Sequence, residues 1–293
     1  MKISQLFNKS KTVFSFEVFP PKKDSPVETV YNALEEMADL NPAFISVTYS
    51  AGGTGGAKES TTLLASHVKN KLGIETCAHL TCLNSTAGDI RALLKDLTGH
   101  KIENILALRG DRPAAEVESG VPLVKEFSYA SDLVRFINVQ GLEFCVAGAC
   151  CPEGHPESED MISDVLNLKK KVDAGADFLV SQMFFDNSKF YEFKERLRLA
   201  DITVPVSAGI MPVTNKRQFE RMIMLSGASL PAKFTQTFSR FEDRPEALAD
   251  AGIAYAIDQI IDLISSGVDG IHLYTMNKPA VARKITESVR SLL

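Results

Sequence analysis

The chain has 293 residues, 45% hydrophobic and 24% charged, and its excess of acidic side chains gives a formal charge of -5. This is enough material for a full hydrophobic core. With no basic run or aromatic-interleaved basic stripe, it argues against nucleic acid as a partner.

No apolar stretch reaches the roughly 18 residues of a membrane span, and the first residues lack the hydrophobic segment and small-residue cleavage site of a secretory leader. A cytoplasmic protein with no membrane partner is expected. The cysteines (Cys77, Cys82, Cys145, Cys150, Cys151) are odd in number and sit mostly in strand-like runs, which suits buried thiols better than a disulfide framework. Cys150-Cys151 has no metal-ligand spacing beside it, and no metal is expected.

Short β-branched runs alternate with amphipathic helices at intervals of about 30 to 40 residues. The first predicted strand, Val13–Val18, carries Glu17 inside an apolar run and is stopped by Pro20-Pro21. A carboxylate there is costly unless it is used or paired, for instance with a barrel lysine or arginine. Ser25-Pro26 opens a helix whose apolar face is Val27, Val30, Leu34 and Met37. Strands follow at Phe44–Tyr49, Glu75–Thr81, Asn104–Leu108, Phe144–Ala149, Phe178–Gln182, Val204–Ile210 and Gly270–Tyr274, and Ile90, Leu93, Leu94 and Leu97 form a helical stripe between the third and fourth.

Gly73, Gly99, Gly141, Gly175 and Gly267 each precede a strand by a few residues, where a left-handed cap ends a helix. Ser229–Pro245 is irregular, carries Phe234, Phe238 and Phe241, and reads as an extra helical excursion over the mouth before a long helix, Glu246–Ser265. Eight such units without a proline- or serine-rich linker match an α/β chain folded as one closed (β/α)8 TIM barrel, a fold of about 250 residues.

Chemistry in such a barrel is built from the C-terminal strand ends. Those ends offer Glu17, Thr48, Tyr49, His79, Thr81, Arg109, Asp111, Glu153, His155, Ser181, Gln182, Asn215, Gln218, Thr275, Asn277 and Lys278. Any one of these could be a loop group bonded to backbone or water; it is their joint placement that points to a site. Glu17 stands apart because burial beside Phe16 and Phe19 disfavours its charged form and keeps a proton available near neutral pH.

The glycine-rich run 51–58 follows a strand but lacks the spacing of a phosphate loop, and reads as a mobile loop at the site. His155 has no ligand-spaced partner and reads as a hydrogen-bonding histidine. On the helix that follows, Asp164, Asn167, Lys170 and Lys171 recur at spacings of three and four, so one polar edge could grip an extended ligand such as a nucleotide-like cofactor.

Together SFEVFPPK, FISVTYSAGG, HLTC, ALRGDRP, YASDLV, PEGHPE, DVLNLKKKVDAGAD, SQMFFD and GIMPV, in this order along the chain, resemble the 5,10-methylenetetrahydrofolate reductases of the bacterial single-domain type. The resemblance implies a barrel with FAD at its mouth. NADH or NADPH and the folate then take turns there in ping-pong hydride transfer that yields 5-methyltetrahydrofolate.

By motif, Glu17 becomes the general acid that helps open the folate's five-membered ring, and Asp111 holds the pterin and tunes the flavin. Gln182 meets folate and nicotinamide in turn, Gln218 and Lys278 lie toward the folate, and Thr48 toward the nucleotide. The positions matching the FAD site are Tyr49, Ala51, His79, Arg109, Gly110, Tyr129, Ala130, Cys151, His155, Ser158, Asp164, Asn167, Lys170 and Lys171.

The family usually shows tyrosine at Cys151, arginine at Lys170 and Lys278, and an aromatic near Met222, so cofactor affinity and folate contacts are where this chain departs. Family members often associate as homo-oligomers, and some take electrons from a partner protein. A flavin barrel of the proline dehydrogenase kind and a non-catalytic folate-binding barrel are the alternatives.

Overall fold

Eight parallel strands pair in sequence order and close on themselves, the last hydrogen-bonding to the first. They are β1 (Val13–Val18), β2 (Phe44–Val47), β3 (Glu75–Thr81), β4 (Asn104–Leu108), β5 (Cys145–Cys150), β6 (Phe178–Ser181), β7 (Val206–Ile210) and β8 (Gly270–Tyr274). The structure is a computed structural model describing residues 1–8, 11–21, 25–49, 56–110 and 126–293, apart from the side chains of residues 56–59, 218, 221, 222 and 225. Around the barrel, in chain order, lie α1 (Glu28–Ala38), α2 (Gly56–Ser66), α3 (Ala87–Gly99), α4 (Ala130–Asn138), α5 (Met161–Asp173), α6 (Asn187–Leu199), α7 (Lys216–Ser226), α8 (Ala232–Phe241), α9 (Pro245–Ser265) and α10 (Pro279–Val289).

Strand alternation sorts the side chains into two layers. On β1, Phe14, Phe16 and Val18 turn outward and join Val30, Leu34 and Met37 of α1 in the layer between sheet and helices. Val13 turns inward with Phe44, Cys77, Leu106, Cys145, Ala147 and Phe178, filling the N-terminal half of the cylinder. A 3-10 turn, Ile3–Asn8, closes this floor. Ile3 is fully buried, and the Phe7 ring lies 5.3 Å from that of Phe178. The Asn104 side chain accepts from the Ile3 N–H at 2.7 Å and donates to the Met1 carbonyl at 3.2 Å.

Helix entry follows local side-chain chemistry. Thr86 and Asp89 form a reciprocal capping box on α3, and Asp160 and Asp186 cap α5 and α6. Four of the five predicted left-handed glycines take positive φ (Gly73, Gly141, Gly175, Gly267). Gly99 does not: it is the last residue of α3, and Lys101 adopts φ 61° in its place.

Several boundaries also differ from the sequence reading. β2 stops at Val47, two residues early; α1 begins at Glu28 and not at Ser25-Pro26; and β7 begins at Val206. β5 runs Cys145–Cys150, one residue later at both ends, β6 stops at Ser181, and α9 begins at Pro245. Within the glycine-rich run, 51–55 lie outside the described residues, whereas Gly56, Ala57 and Lys58 belong to α2 and not to a loop.

The expected excursion is α8. Its Phe234 and Phe238 stack with ring centroids 4.2 Å apart, and with Phe219 they cover Met183 and Phe185 beyond β6 and Met211 and Val213 beyond β7. Gly252 of α9 seats on the Val213 backbone, where a Cβ would lie 2.7 Å from the carbonyl carbon and closer still to the oxygen.

Candidate active site

Glu17 points into the barrel with only 9% of its side chain exposed. Its Oε2 lies 3.4 Å from Nε2 of His272 on β8 and 3.5 Å from Nε2 of His79 on β3. These imidazoles replace the lysine or arginine pairing considered from sequence; among the described residues Glu17 has no such ion pair. His272 is itself tethered, with Nδ1 2.7 Å from Ser15 Oγ and Nε2 3.1 Å from Ser46 Oγ, while its ring stacks on Phe44.

The Glu17 backbone is fixed from β8 as well. Thr275 Oγ1 donates to the Glu17 carbonyl at 2.7 Å, and the Asn277 amide clasps both the N–H and the carbonyl of Phe19 at 2.9 and 2.8 Å. Met276 and Asn277 take φ of 52° and 55° to make that clasp.

Burial sets the charge state around Glu17. It pulls His79 down to about 4, helped by His272 and opposed by Glu17. It pushes the Tyr274 phenol and the Cys77 thiol well above their ordinary values. An imidazole that protonates near 4 in the fold and near 6.5 when exposed takes up its proton first on unfolding. Its stabilisation is therefore full above about pH 6.5 and lost as pH falls toward 4, a span worth roughly 3 kcal/mol. His79→Asn should therefore lose less stability than the parent between pH 7 and pH 4 in urea titrations; parallel losses would contradict this account.

At the β4 exit, Gly110 has φ 92° and a Cβ there would sit 3.1 Å from that of Thr81, so the turn needs glycine. The Arg109 fork engages Glu157 in a bidentate pair at 2.6 and 2.7 Å. Asp164 of α5 organises the loop that presents Glu157. Its Oδ1 accepts from the His155 N–H at 2.9 Å and the Ser158 hydroxyl at 2.8 Å, and His155 Nδ1 accepts from the Glu157 N–H at 3.1 Å.

The single polar edge expected on α5 is in fact split. Asp164 and Lys171 fall on the sheet-facing side with Val165 and Leu168: the Lys171 stem crosses Gly148, its ammonium donates to the Ala149 carbonyl, and burial lowers its pKa. Only Asn167 and Lys170, joined at 3.0 Å, face solvent.

Other predicted positions lie on the segments that follow the strands. The Thr48 N–H donates to the Val18 carbonyl at 3.0 Å. Burial, with Asp89 nearby, pushes Tyr49 up to about 12. Tyr129 stands exposed at the start of α4, beside buried Ala130. Burial raises the Cys151 thiol to about 11.

Gln182 is exposed, its side-chain oxygen accepting from the Met183 N–H at 2.9 Å. Lys278 donates to Thr214 at 2.7 Å, and partial burial lowers its pKa. Ala51 and Asp111 lie outside the described residues; Gln218 and Met222 belong to α7, but their side chains are not described. The structure thus joins Glu17 with His79, and Arg109 with His155, Ser158 and Asp164. Sequence reasoning missed Ser15, Ser46, His272 and Glu157, although Ser15 and His272 share the inward alternation of Glu17 and Tyr274.

A nearly buried carboxylate among imidazoles at the end of β1, with an arginine fork at the end of β4, defines a barrel enzyme whose working groups leave the C-terminal strand ends. The family model described as methylenetetrahydrofolate reductase matches residues 2–290. Methylenetetrahydrofolate reductase 1 of Schizosaccharomyces pombe is 37% identical over 285 residues, covering 95% of this chain but 46% of its own length. The 5,10-methylenetetrahydrofolate reductase of Escherichia coli is 34% identical over 275 residues, covering 94% and 90%.

The chain therefore belongs to the methylenetetrahydrofolate reductase family of oxidoreductases, spanning about half the length of the fission-yeast relative and most of the bacterial one. A Clostridium thermocellum protein described as binding two copies of 5-methyl-5,6,7,8-tetrahydrofolic acid shares the fold at a TM-score of 0.70 and 13% identity, covering 99% of this chain and 100% of its own. Among the described residues no helix is long and apolar enough to cross a membrane.

Proposed function

We propose that this chain reduces 5,10-methylenetetrahydrofolate to 5-methyltetrahydrofolate, using FAD and electrons from NADH or NADPH. The observation that carries the reading is Glu17, a nearly buried carboxyl beside two imidazoles where a βα barrel does its chemistry. Its role is to give a proton to the amine nitrogen that departs as the folate's five-membered ring opens, a contribution of about 10²- to 10⁴-fold.

The mouth suits a flavin nucleotide on three counts. The Arg109 fork already holds an anionic group, Gly110 provides a close backbone approach, and His79 Nε2 is a buried polar atom with no hydrogen-bond partner among the described residues. FAD, when bound, carries the hydride between the two substrates. Arg109 would neutralise its pyrophosphate, Asp164 would keep the 155–158 loop in shape, and Tyr129, Asn167 and Lys170 would flank its nucleotide half.

The visible spectrum of the purified protein tests this. Yellow protein that bleaches with anaerobic NADH and regains colour with methylenetetrahydrofolate supports the reading; protein that takes up no added FAD defeats it.

A pyrophosphate on the Arg109 fork would compete with Glu157 for the guanidinium. The pair is partly exposed (22% and 55%) and so contributes at most about 1 kcal/mol. Glu157→Gln should tighten FAD binding to the apoprotein by about two- to five-fold, read by flavin fluorescence quenching. Weaker binding would mean that Glu157 supports the cofactor and does not compete with it.

A further inference from the structure

The inward faces of β1, β2 and β8 hold a hydrogen-bond chain that the assignments above leave unused. Ser15 Oγ sits 3.1 Å from the Ile271 carbonyl and 2.7 Å from His272 Nδ1. A hydroxyl has one proton, and a carbonyl can only accept. If Ser15 donates to Ile271, the ring must donate to Ser15 through Nδ1–H. Neutral His272 then carries no proton on Nε2, and the single lone pair there lies within reach of both Ser46 Oγ at 3.1 Å and Glu17 Oε2 at 3.4 Å. A lone pair opposite a carboxylate repels; opposite a carboxylic acid it completes an O–H···N hydrogen bond.

We propose that His272 is a positioning residue for the reaction: held as the Nδ1–H tautomer by Ser15, it keeps Glu17 in its proton-bearing form through Nε2. The inference rests on the reading of Glu17 as the acid. In the step itself the Glu17 O–H bond breaks, an N–H bond forms on the departing folate amine, and Glu17 remains as carboxylate until solvent returns a proton.

The other titratable groups packed around the pair are His79 and Cys77 from β3 and Tyr274 from β8. Burial holds all three neutral at working pH. With no cation among them, none offers Glu17 an ionic partner. The stacked Phe44 ring fixes the imidazole plane and leaves the tautomer to Ser15.

The test has two arms. In ¹⁵N-histidine NMR of the purified chain, with the His272 signal among the five histidines assigned by its loss in His272→Asn, His272 should show a protonated Nδ1 and a bare Nε2. Ser15→Ala should shift it toward the opposite tautomer. An Nε2–H tautomer in the parent protein overturns the proposal, and so does a tautomer that ignores Ser15.

In stopped-flow work on FAD-loaded protein, His272→Asn keeps a donor toward Ser15 but presents nothing to Glu17. It should slow recoloration by methylenetetrahydrofolate about 10- to 100-fold and move the alkaline fall of its pH profile about one unit lower, while bleaching by NADH changes less than about two-fold. His272→Gln, whose amide oxygen reaches the Nε2 position, should recover part of the loss. Equal slowing of both half-reactions means that His272 only packs the core, and the proposal fails. Glu17→Gln run alongside separates the two ideas: if it recolours at the parental rate, the Glu17 reading has failed, whereas a slow Glu17→Gln with an unchanged His272→Asn profile overturns the His272 assignment alone.

Discussion

Glu17→Gln should bleach with NADH at close to the parental rate and lose about 10²- to 10⁴-fold in recoloration by methylenetetrahydrofolate. The two halves separate because only one consumes a proton from the protein. Glutamine keeps the side-chain volume, and its amide stays beside the imidazoles 3.4 and 3.5 Å away, so the barrel should not collapse. Single-turnover kinetics on each half measure the split. Equal loss in both would show that the residue shapes the cofactor site and does not supply the proton.

Gly252→Ala should destabilise the fold by about 3 kcal/mol, at the upper end of overpacking costs, lowering the midpoint of thermal unfolding by roughly 5 to 10 °C. Inside an unencumbered helix the same change stabilises by about 1 kcal/mol. Here the added methyl would fall on the Val213 carbonyl, and backbone cannot swing aside as a flexible side chain can. Gly99→Ala is the matched control. It lies at the end of α3 with nothing within 4 Å of its Cβ position and should leave the midpoint unchanged or slightly higher. Calorimetry on the pair decides the matter: equal midpoints would mean that α9 slides away from β7 at little cost.

The barrel was legible because parallel strands buried on both faces read as short apolar runs, and the glycines that end helices punctuate them. Val13–Val18, Glu75–Thr81, Asn104–Leu108 and Gly270–Tyr274 were readable to the residue. Glu17 was visible because an acid in such a run is costly. His272 and its two serines were not, since isolated polar residues in strands are common and only the closure of β8 onto β1 brings them together.

That Lys171 turns away from the solvent-facing edge of α5 was hidden for a related reason. Spacings of three and four define a helix edge but not which way it turns, and the lysine's long stem lets it pack over Gly148 while its charge finds the Ala149 carbonyl. Glu157 was passed over because its partner, Arg109, lies 48 positions away in the chain.

The seam between β1 and β8 has a consequence for how the protein comes into being. Thr275 and Asn277 grip Glu17 and Phe19 across 258 positions of chain, so a nascent polypeptide has its acid residue from the outset but cannot aim it until the last strand arrives. Contacts this distant form late. Premature termination or a nick ahead of residue 270 should therefore yield no weakened reductase at all, only protein without turnover: competence arrives in a single step, with the closing of the ring.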